Sequence, residues 1–396
     1  MSQTIAPTKR RATRLAVGLA SGRRVTVALI GTIVALVAVA VVFVVATAAQ
    51  GPRVVSAPAD AGTAFTAADE RLHVLQRRSA SGKDDVVVRS SPANPEPEVV
   101  LAAPRIQSFA HAGDVVAAVE LLDDGSGVLR FTSGGQQQPA TLVLPEPGVV
   151  RSIAGSTTHP LIGFTVAGDA DAASTLYTVD VSSAVGDAPS PVLGLDGAPL
   201  AVVDWLFVPG EPSIVAQDRD GTLHLVDVLG VDPPSLLGSH AELRGVLPGT
   251  KTLVVADPDR GATIDLESGE TKTFTLPIGD LPDEAYPGHV TALDRKGAHL
   301  LEVALIDAGS VAASLVARVD ASGTVVVYPA PEGSRILRSC VSPSGRLVAV
   351  ETAGAAGTPD GYPTTPSYTG TLTTLVEVST GRVVLSLAGG LSDWCR

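Results

Sequence analysis

Seven short segments share one pattern, apolar, polar, small or Trp, apolar, recurring at intervals of roughly 40 to 55 residues. They are Ile106-Gln107-Ser108-Phe109, Val150-Arg151-Ser152-Ile153, Val203-Asp204-Trp205-Leu206, Leu243-Arg244-Gly245-Val246, Val290-Thr291-Ala292-Leu293 and Leu337-Arg338-Ser339-Cys340. The seventh, Ser392-Asp393-Trp394-Cys395, is polar at its first position. Their second position collects Gln107, Arg151, Asp204, Arg244, Thr291, Arg338 and Asp393. Arg offers a planar fork of donors that grips carboxylates bidentately, so such a column could hold a small anionic ligand or a partner's carboxylate. The same mixture could equally satisfy itself as ion pairs.

A second set of groups is acidic: Asp84-Asp85, Asp123-Asp124, Asp169 and Asp171, Asp218 and Asp220, Asp257 and Asp259. Together they could take a divalent ion or a cationic partner. Asp is also favoured in turns for its own local hydrogen bond, and none of these completes a calcium loop. Spacings that carry a reaction are missing: there is no G-x-S-x-G, no H-E-x-x-H and no cysteine metal motif. Gly245 to Thr252 resembles a phosphate loop, but its second Gly falls one place early. His73, His111, His159, His224, His240, His289 and His299 are scattered without paired spacing. No catalytic residue, metal-ligand set or cofactor is expected.

The elements around these segments are short Val-, Leu-, Ile- and Thr-rich runs bounded by Gly, Pro, Asp or Ser, which is the grammar of strands and turns. A proline turn leading into an apolar strand that ends in an acid recurs at Pro209-Gly210 to Asp218, Pro248-Gly249 to Asp257 and Pro343 to Glu351. Four short strands every forty-odd residues is the arithmetic of a β-propeller blade. Ser342-Pro343-Ser344-Gly345-Arg346-Leu347-Val348-Ala349-Val350 resembles the S-P-D-G-[KR]-x-[IL]-A repeats of bacterial exported β-propellers, including Tol-Pal-type periplasmic proteins and the WD-like and quinoprotein-like superfamilies. The chain departs from them in lacking WD dipeptides and Asp-boxes, and in placing Ser where the turn Asp usually stands.

The resemblance implies that each first strand lines a central channel. Gln107, Arg151, Asp204, Arg244, Thr291, Arg338 and Asp393 would then form a ring, with Arg151 and Arg244 flanking Asp204 and Arg338 beside Asp393. Counting strand starts predicts an all-β, seven-bladed propeller over residues 66–396. Three N-terminal strands, near Leu72–Leu75, Val86–Arg89 and Val99–Leu101, are completed by a last strand at Leu391–Arg396, so the chain's two ends share one blade. The two cysteines, Cys340 and Cys395, are expected to pair across that seam, the alternative being two buried free thiols. Closing a loop of this length stabilises by roughly 3–4 kcal/mol in the chain-entropy model. Trp205 and Trp394 are expected to wedge between blades.

Val25 to Ala49 has no charged residue. As a helix it would rise about 37 Å, enough to cross a hydrocarbon core of roughly 30 Å. Ala46-Thr47-Ala48 fits a signal cleavage site, but the apolar run exceeds the core of a signal peptide, so it reads as an uncleaved transmembrane helix. Lys9, Arg10, Arg11, Arg14, Arg23 and Arg24 precede it and no acid does, which places residues 1–24 in the cytoplasm and the rest outside. Residues 50–65 read as a linker. The remaining 22 basic residues against 41 acids leave a net charge of −19 beyond the membrane run. Such a domain is unsuited to nucleic acid or anionic lipid. Ala, Val and Gly bias, with 23 Arg against 5 Lys and a single Asn, is that of a high-GC bacterial genome. The expected location is therefore a bacterial plasma membrane, single-pass, N-terminus inside.

Thr352 to Gly370 interrupts the last repeat with a Gly/Pro/Thr-rich loop carrying Tyr362 and Tyr368, and Tyr286 lies in a second such stretch, so these three are candidates for touching a partner. The expected function is a membrane-anchored binding or scaffolding module for another envelope protein or cell-surface ligand. The alternative is a propeller enzyme, a hydrolase or quinoprotein-like oxidoreductase, that uses the Arg/Asp ring.

Overall fold

A computed structural model of the chain describes residues 70–395, apart from 79–80, 133–139, 143, 145–147, 168–173, 183–187, 258–259, 275–284, 308–309, 355–356, 358 and 360–367. The tail 1–24, the apolar run Val25–Ala49 and the linker 50–65 therefore lie outside the described residues. Among the described residues, no helix is long and apolar enough to cross a membrane.

Each apolar run pairs antiparallel with the next one along the chain, because tight turns return the backbone before it can reach further. Residues 72–103 form a three-stranded sheet, and residues 106–142, 242–274, 285–329 and 334–388 each form a four-stranded sheet with strands in chain order. Residues 149–239 form one eight-stranded sheet. This is a β-propeller, but the expectation of seven separate blades is corrected to five blade-sized sheets beside the eight-stranded one. The merger has a local cause. Strand Ser174–Asp180 pairs with the two-residue strand Ser190–Pro191 only through Tyr177 and Thr178, and Pro191 has no N–H to offer. The uncovered end of the same edge is taken by strand Ala201–Phe207 through Ser174↔Val202 and Thr175↔Ala201.

The core is a series of apolar layers between neighbouring sheets and, within residues 149–239, between the two halves of the eight-stranded sheet. Phe164 and Tyr177 pack on Phe131 and Ala117, Trp205 and Phe207 on Leu161 and Leu176, and Leu206 and Leu223 on Leu253 and Ile264. Leu300 and Val316 face Val348 and Val376. Trp205 does act as a wedge: its Nε1 donates to Ser152 Oγ at 2.7 Å, and its ring lies over Gly163, where an added Cβ would come within 2.6 Å. Residues 242–274 and 285–329 are joined by polar contacts instead, with Arg295 reaching Thr252 and Asp265. The proline turns of the repeat also meet, since Gly249 N donates to Pro343 O at 3.0 Å. Gly345 beside them has φ +74, and a Cβ there would press within 2.8 Å of Pro248, so the turn needs glycine twice over.

Leu72 and Val74 pack on Leu347 and Leu385 together with Trp394, which sets the first sheet against the last. Leu75 and Gly390 exchange backbone hydrogen bonds of 2.8 and 3.0 Å, and Trp394 Nε1 donates to Arg71 O at 3.0 Å. Cys340 and Cys395 are paired, with Cα atoms 5.1 Å apart, a disulfide-compatible separation. The closing strand expected over Leu391–Arg396 is corrected. Pairing stops at the single bridge Leu75↔Gly390, and Leu391 adopts φ 53, which bends the chain out of extended geometry into a turn.

Candidate functional site

The polar column has a backbone cause. Six strands carry it, and each is irregular at or near the polar residue. Gln107, Arg151 and Arg244 are themselves the unpaired residue of a bulge, while Val203 precedes Asp204 and Leu337 precedes Arg338 in that role. In the strand bearing Thr291 the irregularity falls between Pro287 and Val290. A bulge twists the strand locally and re-aims side chains. The sequence repeat is therefore the trace of a repeated kink in the first strand of each unit. Several of these strands run beside one another: Ile106–Ala112 along Val149–Gly155, then Ala201–Phe207, then Glu242–Val246, and Ala285–Ala292 along Ser334–Val341.

The side chains mostly find partners close by. Buried Gln107 donates to Val150 O in the neighbouring strand at 2.8 Å. Arg151 and Asp204 are exposed, and Asp204 Oδ1 accepts Trp205 N at 2.8 Å. Arg244 pairs with Glu242 of its own strand at 2.7 Å. Thr291 is half-buried. Arg338 pairs with Glu351 at 3.1 Å and not with Asp393, because Glu351 is its register partner in the adjacent strand.

Asp393 is claimed by two histidines that the linear pattern had set aside. His73 Nδ1 lies 2.8 Å and His111 Nδ1 2.7 Å from the same carboxylate oxygen, Oδ2. The other oxygen accepts the His73 backbone N–H at 2.9 Å. The imidazole centroids are 4.6 Å apart. His73 and Asp393 side chains are sealed, whereas that of His111 is 27% exposed, leaving one open side. Burial pushes the Asp393 carboxyl up, but the charges and hydrogen bonds of His73 and His111 prevail and hold it well below the usual carboxylate range. For His111, burial pulls the pKa down, yet the Asp393 charge and hydrogen bond outweigh both burial and the repulsion of Arg71, and the pKa is raised. His73 and Asp393 are 320 residues apart in sequence. No linear spacing signals the cluster; it exists because the chain ends meet.

The acidic turns divide in use. Asp85 is buried and accepts Ile106 N at 3.1 Å, and Asp124 accepts Ser126 N and Oγ at 2.9 and 2.6 Å, both structural roles. Asp218, Asp220 and Asp257 do converge, with His240, around a cavity of about 330 Å3. His224 Nε2 meets Asp218 at 3.1 Å, and His240 Nδ1 meets Asp257 at 3.3 Å. Burial opposes ionisation of Asp218, but hydrogen bonds from His224 and from the Thr222 and Asp220 amides overcome it and lower its pKa. The Ala241 amide, with His240 behind it, lowers that of Asp257. Asp84 and Asp123 lie in exposed turns. Asp169, Asp171, Asp259 and Tyr362 lie outside the described residues. Tyr286 is exposed, while Tyr368 is half-buried under the Arg335 guanidinium, 4.4 Å from its ring centroid.

No family model matches the chain, and no curated protein matches it. Several solved structures are similar to it. TolB from Acinetobacter baumannii is similar at 13% identity and TM-score 0.39 over 82% of this chain, which spans 66% of the TolB chain, just under two thirds. The β-propeller domain of the Trilobed protease from Pyrococcus furiosus is similar at 10% identity and TM-score 0.49, over 82% of this chain and 92% of that one. The dihydro-heme d1 dehydrogenase NirN is similar at 12% identity and TM-score 0.46, over 87% and 78% of the two chains.

Proposed function

We propose that the chain is a non-catalytic binding or scaffolding propeller, anchored by Val25–Ala49 in a bacterial plasma membrane and facing outward to meet an envelope protein. The observation that supports this reading is repetition. A bulge recurs in first strand after first strand at or beside Gln107, Arg151, Asp204, Arg244 and Arg338, and where the side chain is exposed, as at Arg151 and Asp204, it suits a surface that reads a partner at several points. The displaced carboxyls Asp124, Asp218, Asp257, Asp265, Asp320 and Asp393 all move downward. They are anions at neutral pH, suited to holding cationic groups and unsuited to donating protons. The −19 charge beyond the apolar run favours a partner with a basic face.

The test is chemical cross-linking of the full-length chain in its native membrane, followed by mass spectrometry, beside the variant Arg151→Ala/Asp204→Ala, whose two positions are exposed. A discrete envelope protein cross-linked to the wild type and depleted from the variant is the expected result. Saturable turnover of an ester, peptide or redox substrate by the purified chain would overturn the reading.

A further inference from the structure

The cluster at the closing seam has a donor set that binding to a protein partner does not call for. Two imidazole nitrogens and one carboxylate oxygen approach each other from three separate parts of the chain. His73 comes from strand Leu72–Gln76, His111 from strand Ile106–Ala112, and Asp393 from the turn after Leu391. All three donor atoms lie within 4.8 Å of one another. Two of the spacings, 2.8 and 2.7 Å, are those of hydrogen bonds that draw the three groups together.

We infer that His73 Nδ1, His111 Nδ1 and Asp393 Oδ2 form a three-ligand site for a divalent transition-metal ion of the zinc class, which staples the closing seam and leaves a fourth position to solvent. Imidazole with carboxylate suits zinc and its neighbours far better than calcium or magnesium, which want oxygen alone. Zinc bonds of about 2.0–2.1 Å place tetrahedral donors about 3.3 Å apart, so the cluster has to open by about half an ångström. His111, the partly exposed member, can supply that movement for its own contact, while His73 and Asp393 have to part by a small rotation of their side chains. The ligands are also held from behind, as metal ligands usually are: the His73 amide fixes the second carboxylate oxygen at 2.9 Å, and Asp393 N donates to His73 O at 3.2 Å. Arg71 is the adverse neighbour, but its guanidinium is bound to Asp114 at 3.0 Å, with Arg89 3.9 Å from the same carboxylate. On binding, each imidazole gives up its Nδ1 proton, to its own Nε2 if neutral and to water if charged.

This site stands independently of the partner reading, and its test reads metal directly. The purified full-length chain, stripped with chelator, is dialysed against micromolar zinc, and bound metal is measured by elemental analysis, with X-ray absorption for the ligand atoms. One zinc per chain, with imidazole and oxygen ligation and a higher melting temperature, is expected for the wild type. His111→Ala, at the exposed member, should fold and bind at least about tenfold to a hundredfold more weakly, the loss that even outer-shell changes cause. Asp393→Asn should do the same, whereas His224→Ala, in the other histidine–aspartate pair, should change nothing. Absence of stoichiometric zinc in the wild type, or equal affinity in folded His111→Ala, would overturn the assignment.

Discussion

Glu351 offers the sharpest test of how the closing seam is held. It is fully buried, yet it carries two obligations: Oε1 accepts the Ser392 amide at 2.6 Å, and Oε2 lies 3.1 Å from Arg338 Nε. The Cys395 sulfur lies 4.0 Å from the same Oε1. Glu351→Ala removes the anion and strands a buried amide. Leaving that amide unsatisfied costs about 1–3 kcal/mol. Unfolding entropy of about 2.1 cal/mol/K per residue over about 330 residues converts that loss to a drop of about 1–4 °C in melting temperature. Arg338→Ala should cost at least as much. Arg338 is 32% exposed and can be rehydrated when Glu351 is gone, whereas Glu351 without Arg338 is a sealed, uncompensated carboxylate. Calorimetry of the full-length chain measures both, and hydrogen exchange at Ser392 reports the local loss. A Glu351→Ala protein melting within about 1 °C of wild type, with Ser392 exchange unchanged, would refute the argument.

Two further outcomes are expected. Gly163→Ala drives a methyl into the Trp205 ring and should destabilise by about 1–3 kcal/mol. Trp205→Ala should cost about 3–5 kcal/mol, and the double variant should cost less than the sum because the clash has gone; urea midpoints that add would show the two do not touch. Asp265 is held at about 2 by the Ser268 amide and Arg295, and Asp320 at about 2 by Ser322 and Arg318. Since the folded pKa lies below the unfolded value of about 3.9, their contribution is complete above that value and is lost as pH falls toward about 2. Asp265→Asn should therefore flatten the acid limb of a stability-against-pH curve in that window. A limb as steep as wild type would contradict it.

Much of this molecule is legible in one dimension because its physics is local. Alternation of apolar runs with Gly, Pro and Asp turns prescribes short antiparallel strands. The recurring polar residue at Gln107, Arg151 and Arg244 marks a bulge, and a bulge is a property of a few consecutive residues. Cys340 and Cys395, the chain's two cysteines, leave one intramolecular pairing. What the linear pattern did not hold was how edges and ends are shared. The merger of residues 149–239 depends on Ser190–Pro191 being too short to cover an edge, so that Ala201 and Val202 pair with the part left open. The ion pair of Arg338 went to Glu351 because cross-strand register outranks position in the repeat. His73, His111 and Asp393 carry no common spacing. They meet because the ring closes 320 residues later, and only that closure excludes enough water to set two imidazoles on one carboxylate oxygen.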